Sequence, residues 1–491
     1  MDDNVYRFSN GKIITDESVA VKLHIIKALH PESKGENDTG YAWNEIGLAD
    51  VFGEVYKDTA RYCTEHKNWY TYYNGKWNLD ESAILVGEKL KEFTLLLTLY
   101  CMDIVDGDLR ERYLKFVSRL GDTRFRDRVL KDAKGCLKIS AVQFDNIPYL
   151  INCKNGTYDL RSFKFKKPSS NDFLTRQTNF EYGIGNYRCE RWEQFIDEVT
   201  EHDREKADYL QRALGYSLLG TAREECMFIL YGKTTRNGKS TLLNAIEYLL
   251  GDYSDVADTG LISKNRNADP GAANPTLAKL KGKRFVTMSE SNKYGALDES
   301  AIKQMTGGEP ISARALYQTP ITFVPQFKLW LSCNDLPDVR DRSLFASERL
   351  RVIEFNRHFS QEEQDKNLKD EFSNGDAMKG IFAWLIQGYR NYLARGLNVS
   401  ARLKNVDKEY EISTDTVLQF LQERCEVDAD FQVKAKNLYE SYKSWARNYG
   451  LKEMSAKWFN AEMLTHVDWY SECKDIQGYK TYKGIKIKEL G

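Results

Sequence analysis

The chain is 491 residues long, and its 71 Lys and Arg balance 72 Asp and Glu. That length predicts two to four domains with ample core, while the near-zero charge excludes a uniformly basic nucleic-acid coat but leaves room for a local basic track. No apolar run approaches the roughly 20 residues of a membrane helix, and the opening residues, MDDNVYRFSNGK, hold no apolar signal segment.

Residues 1 to about 145 read as mostly helical, with periodic stretches at 84–104 and 109–130. Between them, Asp103, Asp106 and Asp108 read as a solvated turn paired with Arg110 and Arg112 rather than as a metal cluster. Short strands and turns are expected from Tyr149 to Thr175, where Asn155-Gly156 is a tight-turn signal. A helical pattern returns from Cys189 to Leu219. Phe228 to Tyr231 is then an apolar, β-leaning run that enters a Gly-rich turn and a helix-period segment, Leu242 to Ile246. Further strands are expected from Lys283 to Glu290, from Phe327 to Cys333 and from Val352 to Phe355. The text after that is helical, including 378–393, and Gly396 to Val406 reads as a linker. The last domain, about 413–491, holds several short helices and ends in an expected hairpin, GYKTYKGIKIK. The nine cysteines are scattered singly, with no metal-finger spacing against the six histidines, so a reduced cytoplasmic chain without structural zinc is expected.

Strand, Gly-rich turn and helix around Gly232 to Thr241 form the context of a phosphate-binding loop. Backbone N–H groups and a helix N-terminus make a concave anion site there. Gly232, Asn237, Gly238, Lys239, Ser240 and Thr241 are the expected nucleotide-binding residues. Lys239 would reach the β- and γ-phosphates of ATP, and the Ser240 hydroxyl would ligate Mg²⁺. Five residues, Lys233 to Asn237, separate Gly232 from Gly238, one more than the usual pattern. Glu290, ending its strand, is the candidate for holding Mg²⁺ or polarising water. Asn334, ending the next, could orient the γ-phosphate and the attacking water, or simply start the Asn-Asp-Leu-Pro turn. Arg349 could act on a neighbouring subunit's γ-phosphate, although spacing alone does not separate it from a surface arginine.

The ordered set NGKSTLLN, LKGKRFVTMSE, IKQMTGGEPISARALYQ, FKLWLSCNDLP and ERLRVIEF resembles the superfamily 3 DNA helicases. The likeness is to the phage/plasmid primase-helicase family also found in poxviruses and mobile islands. NEIGLADVF, INCKNGTYDL and YLQRALGYSLLG resemble that family's N-terminal domain and the helical lead-in to its motor. The resemblance implies a multidomain α/β chain: a mainly helical N-terminal domain (1–185), a collar (186–222), an AAA+-like motor with a parallel sheet (223–400) and a C-terminal winged helix (410–491). It also implies a homohexameric ring that translocates on single-stranded and forked DNA, 3′ to 5′, in a bacterial host. Carried over, Lys239 and Ser240 are Walker A, Glu290 is Walker B, Asn334 is the sensor and Arg349 the arginine finger.

DNA contacts are expected from a channel hairpin with a Gly-Gly turn carrying Lys303, Arg314 and Tyr317. The last domain could read DNA through Ser455, Lys457 and Asn460 with Lys480, Lys483 and Lys486 on a wing, or could instead contact protein. No primase catalytic set is visible, so a separate priming enzyme is expected. An origin-binding initiator and a protein-remodelling ATPase are the alternatives.

Overall fold

The computed structural model describes residues 5–9, 11–33, 40–264, 274–289, 296–314, 320–339, 343–451, 453–463, 471–474 and 479–488. Its N-terminal part packs the helices Glu45–Tyr56, Ile84–Tyr100, Gly107–Val117 and Thr123–Cys136 around Phe52, Phe93, Tyr113 and Val129. The expected second helix is two, because Ser118–Gly121 tightens into a 3₁₀ turn and the Asp122 carboxylate caps the next helix at Phe125 N. Asp106 likewise caps Gly107–Val117, so the acidic stretch is a helix boundary as expected. Asp103, however, accepts from Tyr6, Ser9 and Lys27, not from the two nearby arginines.

A sheet also lies in the part expected to be mostly helical. Ala60–Cys63, Asn68–Tyr73 and Lys76–Asp80 pair antiparallel, and Lys138–Ile139 adds to Ala60–Cys63 in parallel. Asn74 (φ +51) and Gly75 (φ +77) turn the hairpin as a two-residue left-handed pair. Asp80, buried, accepts from Leu85 N and Val86 N and so starts the following helix. Leu150–Cys153, Gly156–Asp159 and Lys164–Lys166 form a meander as expected from 149–175.

The central layer is a five-stranded parallel sheet, whose strands we number β1 (Met227–Tyr231), β2 (Ser254–Val256), β3 (Phe285–Ser289), β4 (Lys328–Cys333) and β5 (Leu350–Glu354). Their order is β2-β3-β4-β1-β5. β1, β3, β4 and β5 are near-continuous apolar runs, as strands covered on both faces must be. Helices α1 (Arg204–Tyr216), α2 (Lys239–Leu250) and α3 (Gly375–Arg395) cover one face, sharing a core with Phe228, Phe285 and Trp330. The expected run from Cys189 breaks at Asp203, which caps α1 by accepting from Glu205 N and Lys206 N.

Two buried cations bind the sheet to the preceding chain. Arg284, at the start of β3, donates to Leu218 O at 2.6 Å and Leu150 O at 2.7 Å, and lies over the Tyr253 ring. Lys328, at the start of β4, donates to Leu219 O and to Gln326 O, and burial drives its pKa well down. Carbonyls just beyond the C-terminal end of α1 thus receive both positive charges, the arrangement a helix dipole favours.

The expected linker at 396–406 is mostly helix. Ala401–Thr414 packs on the sheet through Tyr410, whose hydroxyl donates to Pro337 O, and through Asp407, which accepts from Val352 N. The last part folds as helix Thr416–Arg424, strand Cys425–Lys434, helices Ala435–Asn448 and Ala456–Met463, and strands Ser471–Lys474 and Lys480–Ile487. The final segment is therefore one strand, the middle one of a three-stranded antiparallel sheet, and its antiparallel neighbour Ser471–Lys474 supplies the arm expected within the segment itself.

Candidate nucleotide site

Tyr231 and Cys333, the last residues of β1 and β4, lie side by side in register. Ligands of open parallel sheets bind outside the carboxyl ends of such strands, where the strand order reverses. From this edge the chain runs through residues 232–238 into α2. Lys239, 5% exposed at the first position of α2, donates from Nζ to Gly232 O at 3.0 Å and to Asn334 Oδ1 at 2.9 Å. The ammonium and the Asn334 amide, 95 positions apart in sequence, therefore meet.

Two glycines make the loop possible. A Cβ on Gly232 would stand 2.4 Å from Phe355 O, and one on Gly238 would stand 2.5 Å from Val199 Cγ1. Gly238 also holds φ +87, which an L side chain adopts at a cost. Asn237, buried, closes the loop by donating from Nδ2 to Thr234 O at 2.6 Å. The additional loop residue is accommodated by a left-handed Arg236 (φ +59), whose carbonyl accepts from Phe359 N, while His358 Nδ1 lies 2.9 Å from Thr235 O. These anchors from the segment after β5 carried no sequence signal. Gly238 offers α2 no side-chain cap, so the first-turn N–H groups are left without a capping side chain, beside exposed Ser240 and half-buried Thr241.

β3 reaches the same edge through Ser289, which pairs with Ser332. The following residue, Glu290, lies outside the described residues. Thr287 on β3 donates to Glu247 on α2, fixing strand to helix, and burial raises the Glu247 carboxyl pKa.

Arg349 lies at the opposite end of the sheet. It precedes Leu350, which pairs with Met227, the first residue of β1, so the length of a five-residue strand separates it from its own chain's loop. At about 3.3 Å per residue that is roughly 16 Å. Its guanidinium donates to Glu225 Oε2 at 2.5 Å and to Thr306 Oγ1 at 2.8 Å, partners that sequence reasoning did not find.

Lys303 is on the helix Glu299–Thr306 and donates to Ser343 Oγ at 2.6 Å, so it is not on the hairpin. Gly307-Gly308 is that helix's exit; the hairpin itself pairs Ile311–Ala313 with Ile321–Phe323. Arg314 leaves its first strand exposed, and Tyr317 lies outside the described residues. In the last part, Lys457 is exposed beside Trp458, itself 69% exposed and overlooked in the sequence. Lys483 is exposed, while Lys480 pairs with Glu472 and Lys486 with Glu426. Asn460 accepts from Tyr482 OH and donates to Ala456 O, and the exposed Ser455 accepts at Oγ from Trp458 N.

The fold is thus a mixed helix-and-sheet protein built on a parallel sheet. Comparison with known proteins matches residues 49–201 to a "D5 N terminal like" family, 230–349 to a family of unknown function (DUF5906) and 413–486 to a "Poxvirus D5 protein-like" family. The protein named "Putative helicase L207/L206" of Acanthamoeba polyphaga mimivirus is 26% identical over 480 residues, covering 85% of this chain and 48% of the relative. "Putative helicase 121R" of Invertebrate iridescent virus 3 is 25% identical, covering 62% of this chain and 35% of the relative. "Putative helicase V13" of the Sputnik virophage is 27% identical, covering 43% and 30%. The chain spans less than half the length of these relatives. The fold is also that of the NrS-1 C-terminal region in its apo A form, at a TM-score of 0.51 and 11% identity, covering 90% of this chain and 100% of that one. The matches to two D5-like family models and to virus proteins named as putative helicases make the chain similar to the D5-type primase-helicase family. The relatives come from viruses of eukaryotes and a virophage, so the expected bacterial host gains no support from them. Among the described residues no helix is long and apolar enough to cross a membrane.

Proposed function

We propose that this chain is an ATP- and Mg²⁺-dependent DNA helicase that replicates a viral or mobile element. The relatives' helicase names support the activity, and the observation that carries the nucleotide site is the Lys239–Asn334 contact at the mouth of an uncapped helix. Gly232, Asn237, Gly238, Lys239, Ser240 and Thr241 would hold the triphosphate, with the Ser240 hydroxyl and Glu290 on Mg²⁺. The nucleotide, when bound, supplies a phosphoanhydride whose cleavage drives movement. Lys239 would exchange Gly232 O and Asn334 for phosphate oxygens, leaving the amide to orient the attacking water. Arg349, remote from its own loop, suits action on a neighbouring subunit, which is the geometry of a ring; a hexamer moving 3′ to 5′ is the reading we adopt. Lys303, Arg314 and Tyr317 would follow the strand in the channel, and the last part, a winged helix in this reading, would contact DNA through Lys457, Lys480 and Lys483. Priming falls to another protein or another segment.

The test is strand displacement on forked duplexes carrying a 3′ tail, a 5′ tail or both, with wild type and Lys239→Ala. The proposal expects unwinding by wild type alone, with the 3′ tail required. ATP turnover with no displacement of any fork would favour a protein-remodelling ATPase, or an initiator that needs its own origin.

A further inference from the structure

A cleft of about 380 Å³ opens between the N-terminal part and the root of the hairpin 311–323. This size lies within the usual range for small-molecule and cofactor sites. Three basic side chains line it: His66, Arg176 and Lys281. Lys281 belongs to the run Lys281-Gly282-Lys283-Arg284, whose other cations are committed elsewhere, Lys283 to Asp255 and Ser254 O, and Arg284 to backbone carbonyls. Arg176 donates from Nη2 to Lys281 O, while its buried Nε has no hydrogen-bond partner among the described residues. The carboxylate in the wall, Asp145, is occupied by Thr175 N and Thr175 Oγ1. The apolar lining includes Phe144 and Phe323, with Val142 (69% exposed) and Val324 (48% exposed) at the rim. A second cleft of about 350 Å³, bearing Arg223, shares Asn146, Val324 and Gln326 with the first, so the two join into one groove past the hairpin root.

Cations converging beside bare apolar surface complement a nucleotide, whose base buries apolar area while its phosphate takes the charge. A protein segment would find less here, since the two carboxylates lining the joined clefts are already engaged, Asp145 by Thr175 and Glu225 by Arg349. We infer that this groove is a second contact for single-stranded DNA, holding a nucleotide against Val142 and Val324 with its backbone phosphate on Lys281 and Arg176. This rests on the helicase reading above. It makes the N-terminal part a guide that delivers the strand to the channel hairpin.

The experiment uses the full chain with the photocrosslinking residue p-benzoylphenylalanine in place of Val142 and, as a control, of Leu95, exposed on the helix Ile84–Tyr100. Each is irradiated with a labelled thymidine oligonucleotide and a non-hydrolysable ATP analogue. Crosslinking at 142 but not at 95, with Lys281→Glu weakening oligonucleotide affinity about tenfold, is expected. Oligonucleotide binding with no crosslink at 142 and no effect of Lys281→Glu would overturn the groove while leaving the helicase reading intact. Absence of any oligonucleotide binding would overturn both. Loss of the crosslink on adding thymidine monophosphate would show a free-nucleotide site and overturn the assignment to a strand.

Discussion

Asn334→Ala separates a sensor from a turn residue. In the wild type its Oδ1 accepts from Lys239 Nζ at 2.9 Å, and the ammonium is almost fully buried. A hydrogen bond to a charged group contributes about 1.5–3 kcal/mol. Asn334 is itself exposed and Lys239 keeps Gly232 O, so water replaces part of the loss and about 1–2 kcal/mol is expected. For a folding unit of 150–250 residues that is roughly 2–8 °C in Tm. With a saturating Mg²⁺–ATP analogue the ammonium has phosphate oxygens as partners, and the deficit should shrink to about 2 °C or less. Turnover should still fall about a hundredfold, the usual effect of removing one preorganised polar group from a transition state. Thermal melts with and without nucleotide, beside phosphate release, give both readouts. A deficit that is the same with and without nucleotide, together with wild-type turnover, would refute the reasoning and leave Asn334 a turn residue.

Three further substitutions follow from the same geometry. Gly238→Ala forces a Cβ into the left-handed region and within 2.5 Å of Val199 Cγ1, a combined cost of about 2–5 kcal/mol; nucleotide affinity should collapse, and Val199→Ala added to it should recover part, read by fluorescent-nucleotide titration. Asp407 has its pKa raised by burial to about 6. Its folded form therefore holds the proton to higher pH than the unfolded form, and its contribution to stability is lost as pH rises through 6. Asp407→Asn, which can still accept from Val352 N, should raise Tm at pH 8 by the equivalent of at most about 3 kcal/mol and leave it near wild type at pH 4; melts at the two pH values decide. Arg349→Ala should lower ATP hydrolysis by about 10³–10⁵ while changing Tm little, since Glu225 is half exposed and such ion pairs contribute about 1 kcal/mol or less. Mixing it with Lys239→Ala subunits should restore some turnover, and no recovery at any ratio would count against action across subunits.

The strands that position the site were legible because parallel strands buried on both faces are written as near-continuous apolar runs, as in Phe228–Tyr231 and, interrupted by Lys328 and Ser332, Phe327–Cys333. β2 escaped notice because Ser254–Val256 is short, polar and at the sheet edge. The N-terminal hairpin carries in Asn74-Gly75 the same signal as Asn155-Gly156, but the helical periods at 84–104 and 109–130 dominate the pattern of that part. The start of the helix Ala401–Thr414 falls in the expected linker because few of the helix's described side chains, Tyr410 among them, are apolar and buried. Gly307-Gly308 suggested a hairpin tip, which moved Lys303 onto the wrong element. Long-range partnerships such as Arg349 with Glu225, 124 residues apart, leave no local pattern to read.

The most direct test of the central claim is ATP hydrolysis measured against single-stranded DNA concentration for wild type and Lys239→Ala. The account predicts turnover that rises on adding the strand and disappears in Lys239→Ala. Turnover indifferent to DNA, or undiminished by Lys239→Ala, would contradict it.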